Sequence, residues 1–200
     1  MSILQIHKAK TGKVSDKWES YLKIYDSLFL KYKDKPISLV EIGVQNGGSL
    51  ETWAEYFINA QRIIGVDIDP RCGKLKFMDP RIEVHVQDGK IPIPGKYDIV
   101  IDDGSHGSND IIEQFQAWFP LIKEGGTYIV EDLHAMWMGS YFGSGAERFF
   151  GNLIIDVNRE FHSAPAHEIH SMQFYNSVVV IRKGPAKVGD RLICGTEKII

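Results

Sequence analysis

Four short apolar runs in this chain lead straight into acids, and that pattern limits the fold more than any other feature. Residues 62–66 end at Asp67, 82–86 run on to Asp88, 97–101 meet Asp102 and Asp103, and 126–130 meet Glu131 and Asp132. A fifth run, residues 37–42, leads into a glycine-rich stretch. Several of these runs are unbroken and β-branched, as strands become when helices cover both of their faces. Helical patterns lie between them, near 49–59 and at 110–121, where Ile111, Ile112, Phe115, Trp118 and Phe119 share one face. The alternation predicts an α/β fold: a doubly wound, mostly parallel, seven-stranded sheet. It closes with an antiparallel hairpin of residues 169–174 and 178–182 around a tight turn at 175–177. Ligands of such sheets bind beyond the C-terminal strand ends, so the acids should converge on one rim. Crowded carboxylates repel one another. A helix-capping role explains any one of them but poorly explains the set. A cofactor bearing hydroxyls and a positive charge, together with a cation, accounts for all.

The 200 residues suit a single domain spanning 1–200. Residues 1–15 read as a loose N-terminal arm. Residues 16–32 carry Trp18, Tyr21, Leu22, Tyr25, Leu28, Phe29 and Tyr32 at helical spacing, and Pro36 stops that helix. Trp18 and Tyr21 are therefore assigned to the core. A further helix is expected at 148–161. The segment 136–145, with Trp137, Tyr141 and Phe142, fits either a mobile lid or a loop with an aromatic plug. The tail 184–200 gives no signal. A net charge of −3 and scattered lysines argue against nucleic acid; Lys31, Lys33 and Lys35 read as a solvated helix end. Cys72 and Cys194 lie far apart, outside any metal-ligand spacing. The first 14 residues carry lysines and no apolar core, and no run nears the ~20 apolar residues of a membrane span. The expectation is a cytoplasmic protein away from membranes.

The glycine loop reads Glu41-Ile42-Gly43-Val44-Gln45-Asn46-Gly47-Gly48-Ser49. A dinucleotide fingerprint needs glycine two residues after the first, and Gln45 stands there. No Gly-Lys-Ser/Thr comes after it, so it is no P-loop either. The spacing suits a ligand without phosphate whose bulk lies close to the backbone. A plain strand-to-helix turn explains the loop equally well until Asp67 is added: an acid at the end of the second strand can accept both hydroxyls of a ribose.

EIGVQNGG, GVDIDP, IDDGSH and IVEDLH together resemble the class I S-adenosylmethionine-dependent methyltransferases. The likeness is nearest to the metal-dependent macrocin and mycinamicin VI sugar O-methyltransferase family, and it runs from about residue 17 to 182. IDDGSH with IVEDLH is its specific part. The resemblance implies that Glu41, Gly43 and Asp67 hold S-adenosylmethionine, with Asp88 near the adenine. Gly47 of the same loop and Asp102, as a capping or orienting group, complete the expected cofactor set. Asp103, Glu131 and Asp132 match magnesium ligands, and His106 matches the general base. Two departures stand out. The third strand ends in Gln87-Asp88-Gly89 rather than in the usual adenine signature. The long N-terminal region of the macrolide enzymes has no counterpart, which leaves their macrolide substrate and oligomeric arrangement open here.

Methyl transfer from a sulfonium has an excellent leaving group, so the enzyme must supply a nucleophile and its alignment. A sugar hydroxyl is a poor nucleophile at neutral pH; a bound cation lowers its pKa and fixes its direction. Oxygen ligands suit magnesium better than zinc. Histidine is the side chain that titrates near neutrality and can take the proton. The expectation is a magnesium-assisted O-methyltransferase acting on a sugar or another polyhydroxylated small molecule, with a homo-oligomeric arrangement left open. The competing functions are a metal-dependent hydrolase on the same acids, and a binding module that kept the pocket and lost its chemistry. His134 fits either a substrate-facing or a structural role; His162, His167 and His170 read as surface or pocket-wall residues.

Overall fold

The computed structural model describes residues 1–139, 145–159 and 168–184, with 192, 194 and 195. Among these residues, twelve helices and strands succeed one another in chain order. The N-terminal pair is α1 (Ile3–Ala9) and α2 (Glu19–Phe29). Then come β1 (Ser38–Ile42), α3 (Gly48–Tyr56), β2 (Arg62–Asp67), β3 (Ile82–Val86) and β4 (Tyr97–Asp102). The chain continues through α4 (Ser108–Trp118), β5 (Ile122–Val130), α5 (Ala146–Arg159), β6 (Ile169–Tyr175) and β7 (Val178–Lys183).

The strands form one sheet in the order β3-β2-β1-β4-β5-β7-β6. The five strands β1 to β5 pair in parallel, while β7 runs antiparallel to β5 and β6 antiparallel to β7. The chain winds outward from β1 to β3, then crosses back to lay β4 against the other side of β1. That reversal is the switch point at which the loops after β1 and β4 part, leaving a crevice. Every residue of β1 is buried. Leu39 faces the core under α1, α2 and α3, and Val40 and Ile42 face the core under α4 and α5. The expected fold class, strand pattern and hairpin are all present. β5 starts earlier than the apolar run suggests: Ile122 pairs with Tyr97 and the register then shifts before Ile99 meets Thr127. The hairpin turns on Ser177, whose φ of 69° is left-handed.

The N-terminal arm is a correction. Residues Ile3–Ala9 are helical, closed by a capping box in which Ser2 accepts from Gln5 N–H at 3.1 Å and Gln5 accepts from Ser2 N–H at 2.9 Å. Ile3 and Ile6 are buried in the core with α2 and α3. Glu51 on α3 ties down residues 10–13, accepting from the Lys10 ammonium and from Lys13 N–H. Seven residues are too few to show a period, although Ser2 and Gln5 carry the capping signature. Ile3→Ala is expected to destabilise the chain by about 2–5 kcal/mol, the cost of a core cavity. Urea unfolding measures it; a cost near zero would return the arm to the surface.

Trp18 is a second correction. It caps α2 from an extended backbone conformation and is 60% exposed, outside the core. The expected aromatic segment begins in a short 3-10 turn, Leu133–Trp137, with Trp137 exposed. Tyr141, Phe142, His162, His167 and most of the tail lie outside the described residues. Among the described residues, no helix is long and apolar enough to cross a membrane.

Candidate active site

A cavity of about 640 Å³ opens at the C-terminal ends of β1, β2, β4 and β5. The loops on its floor extend the sheet by one rung: Gly43 N–H donates to Val66, Asp103 N–H to Ile42 and Glu131 N–H to Asp102, at 2.8 to 2.9 Å. Gly43 is required by this crossing. Its φ is +93°, and a Cβ there would stand 2.0 Å from the Asp103 carbonyl oxygen. Only glycine lets the β1 and β4 loops approach so closely.

Asp67 lines the cavity and is held by backbone donors. Its Oδ2 accepts from Val44 and Gln45 N–H at 2.7 and 3.0 Å, and Oδ1 accepts from Asp69 N–H at 2.8 Å. Burial pushes its pKa up, but these N–H groups outweigh burial and hold the carboxyl below its usual range. The group is therefore a fixed carboxylate, suited to accepting hydroxyls.

Of the other residues assigned to the cofactor from sequence, Gly43 lines the cavity and four do not. Glu41 lies fully buried beneath it, accepting from Ser49 Oγ at 2.6 Å and Trp53 Nε1 at 3.1 Å. Gly47 turns the loop at φ +78°, against the ring of Phe77. Asp88 accepts from Lys90 N–H at the end of β3. Asp102 is buried below Asp103; the Tyr128 hydroxyl donates to it at 3.2 Å, and the Gln114 amide nitrogen, turned toward it, donates to both its oxygens at 2.7 and 2.8 Å. The structure thus makes Glu41 and Asp102 supports for the loops that face the ligand, with no wall position of their own.

Three residues expected to do chemistry meet. One ligand atom from each of Asp103, His106 and Asp132 lies within 4.8 Å of the others, and all three line the cavity. His106 Nε2 is 3.7 Å from Asp132 Oδ2, and His134 Nδ1 is 3.7 Å from Asp132 Oδ1. The Tyr21 hydroxyl donates to Asp132 Oδ1 at 2.7 Å, so Tyr21, though buried, serves the site as well as the core. Gln45, His106 and Asp132 all have positive φ, 50°, 58° and 54°. Left-handed backbone at non-glycine residues costs energy and collects at functional sites.

Glu131 stands apart from that trio. It is buried, and it accepts from the Tyr25 hydroxyl and from the Lys17 ammonium at 2.9 and 3.1 Å. Lys17 also reaches Asp103 Oδ2 at 2.6 Å and Glu41 Oε1 at 3.1 Å. Nothing in Asp16-Lys17-Trp18 separates this lysine from a solvated one. Only the packing of the segment before α2 over the rim brings it to the acids, and Tyr25 arrives with the same helix.

Burial pushes the Asp102 carboxyl up to about 7, against 3.8 normally. The unfolded chain releases this proton near pH 4, whereas the folded chain holds it to about pH 7. Its stabilisation is full below about pH 4 and lost as pH rises through about 7. In EDTA, the melting temperature is expected to fall from pH 5 to 8, with a shallower fall in Asp102→Asn. A melting temperature that rises over that range would contradict the assignment.

Comparison with known proteins agrees with this geometry. Residues 40–133, from β1 to just past Asp132, match the model of a methyltransferase domain. Residues 40–133 are a methyltransferase domain. A rhamnosyl tetracenomycin-C 2'-O-methyltransferase of Streptomyces olivaceus is 35% identical over 147 residues, 65% of this chain and 38% of that protein. Demethylmacrocin O-methyltransferase of Streptomyces fradiae is 33% identical over 153 residues, 67% of this chain and 37% of that protein. The solved MycE methyltransferase of mycinamycin biosynthesis, in complex with Mg, SAH and mycinamycin VI, superposes with a TM-score of 0.77 at 25% identity. That match covers 94% of this chain and 55% of that one. The chain therefore spans about two fifths of these two curated relatives. The methyltransferase domain holds the whole β1-to-β5 half of the cavity, including Gly43, Asp67, Asp103, His106, Glu131 and Asp132.

Proposed function

We propose that this chain is an S-adenosylmethionine-dependent, magnesium-assisted O-methyltransferase acting on a hydroxyl of a sugar, such as one carried by a glycosylated natural product. The observation that carries the reading is that the Gly43 loop and Asp67 share one cavity with Asp103, His106 and Asp132.

The residues present fit both groups. Among the described residues, the cavity wall carries six carboxylates, from Asp16, Asp67, Asp69, Asp103, Glu131 and Asp132, against the two permanent cations Lys17 and Arg71. An acid-rich wall suits a sulfonium and a divalent ion. Asp67, fixed by three N–H donors, suits a ribose. Asp103 and Asp132, with Glu131 behind, suit a hard divalent cation.

When bound, S-adenosylmethionine supplies a methyl group on a good leaving group, and a divalent ion makes the acceptor hydroxyl more acidic and fixes its direction. The chain's own residues do the rest. Gly43 lets the backbone come close to the cofactor. His106 takes the hydroxyl proton, and Asp132, 3.7 Å from its Nε2, steadies the imidazolium that results. Tyr21 and His134 hold Asp132 from its other oxygen. Asp102, kept protonated by burial near neutrality, props the loop carrying Asp103 without adding charge. The two thiols, Cys72 and Cys194, are unpaired, which supports a reducing cytoplasm.

The test is transfer of a labelled methyl group from S-adenosylmethionine to a panel of rhamnosides and macrolide glycosides. Label on a sugar hydroxyl, lost in EDTA, supports the proposal. Turnover of those glycosides without S-adenosylmethionine would instead support a hydrolase.

A further inference from the structure

Among the described residues, Lys17 is the one permanent cation held by the acids under the rim, and the reaction proposed above gives it no part. Its side chain is 3% exposed, and its Nζ contacts Asp103, Glu131 and Glu41 at 2.6, 2.9 and 3.1 Å. An ammonium has three protons, and three carboxylates surround this one. Three acids within 3.1 Å of Nζ favour the charged ammonium. Asp103 is the shared element: its Oδ2 meets Lys17, and it is also one corner of the trio with His106 and Asp132. Glu131, which comes just after the strand next to Asp103, is turned to the lysine and to Tyr25 instead of joining that trio.

We propose that Lys17 is a resident cation that competes with the divalent ion for Asp103 and Glu131, and so sets how tightly the site holds metal. This rests on the metal-assisted reading above. A monocation and a dication that share one carboxylate repel each other strongly in a buried setting. The ion therefore binds against Lys17, either using Asp103 and Asp132 alone or drawing Glu131 away from the ammonium. Glu41 gives the displaced charge somewhere to go. Its Oε1 is buried, with the Lys17 ammonium 3.1 Å away. The ammonium can lean toward Glu41 while Asp103 turns to the ion. In the metal-free state the same lysine keeps the acids from repelling one another. Lys17 is thus a positioning residue that trades metal affinity for an ordered empty site.

The test is titration of Mn²⁺ into the chain without cofactor, read as free Mn²⁺ by electron paramagnetic resonance, for the wild type, Lys17→Met and Asp132→Asn. Circular dichroism reports folding. Lys17→Met is expected to bind Mn²⁺ about 10- to 100-fold more tightly, and Asp132→Asn at least about 10-fold more weakly. Equal or weaker binding by folded Lys17→Met overturns the competition while leaving the metal site standing. No binding by the wild type or by Lys17→Met contradicts the metal assignment itself and this inference with it. If Lys17→Met does not fold, the wild type still decides. Saturating Mg²⁺ is expected to move the ¹⁵Nζ resonance of the buried lysine, and an unmoved resonance overturns the proposal.

Discussion

Asp132→Asn is expected to lower kcat/KM by about 10²–10⁴-fold while leaving S-adenosylmethionine affinity within a few-fold of wild type. Asparagine is the right replacement because Asp132 sits at φ 54° and asparagine tolerates that left-handed backbone. The change therefore removes a charge and keeps the turn. What is lost is a carboxylate that His106 and His134 face at 3.7 Å and that Tyr21 holds at 2.7 Å. A ligand of a catalytic cation is worth several kcal/mol of transition-state stabilisation, which the rate equation converts to that range. Gly43 and Asp67 follow β1 and β2, which β4 separates from the β5 end that carries Asp132, so cofactor affinity should hold. Steady-state kinetics beside a calorimetric titration separate the two effects. Near-wild-type turnover would remove Asp132 from the chemistry.

His106→Asn should lower kcat by about 10²–10⁴-fold, the usual contribution of a positioned general base, with KM for S-adenosylmethionine little changed. His106 also has positive φ, 58°, and asparagine again preserves the backbone. A structural histidine would show its loss in thermal stability; a base shows it in kcat. The two substitutions together should cost less than the product of their separate effects, because Asp132 acts in part through the imidazolium of His106. Fully multiplicative losses would mean that the two residues work independently.

The sheet was legible because four of the five parallel strands are short runs that lead into an acid, and the fifth leads into the glycine loop. The convergence of Asp67, Asp103 and Asp132 came from one rule about where such sheets bind ligands, and His106 from the family resemblance. What escaped was everything that depends on how a neighbouring segment folds over the rim. Lys17 looks like any surface lysine until the segment before α2 lies across Asp103 and Glu131. Trp18 fits the apolar stripe of α2 but stands at its cap, where the backbone is extended and the side chain lines the cavity. Glu41 and Asp102 carry the acids' spacing, yet strand alternation buries them behind the wall, where Ser49, Trp53, Gln114 and Tyr128 satisfy them. A carboxylate count at strand ends therefore finds the site but does not say which acids face the ligand.

Binding of S-adenosylmethionine in the crevice between the β1 and β4 loops is the central claim. Isothermal titration of the purified chain with S-adenosylmethionine, in magnesium and again in EDTA, tests it most directly, with Asp67→Ala as the control. The expected result is binding of one cofactor per chain in the micromolar range, greatly weakened in Asp67→Ala. Absence of binding to the folded wild type in both conditions would contradict it.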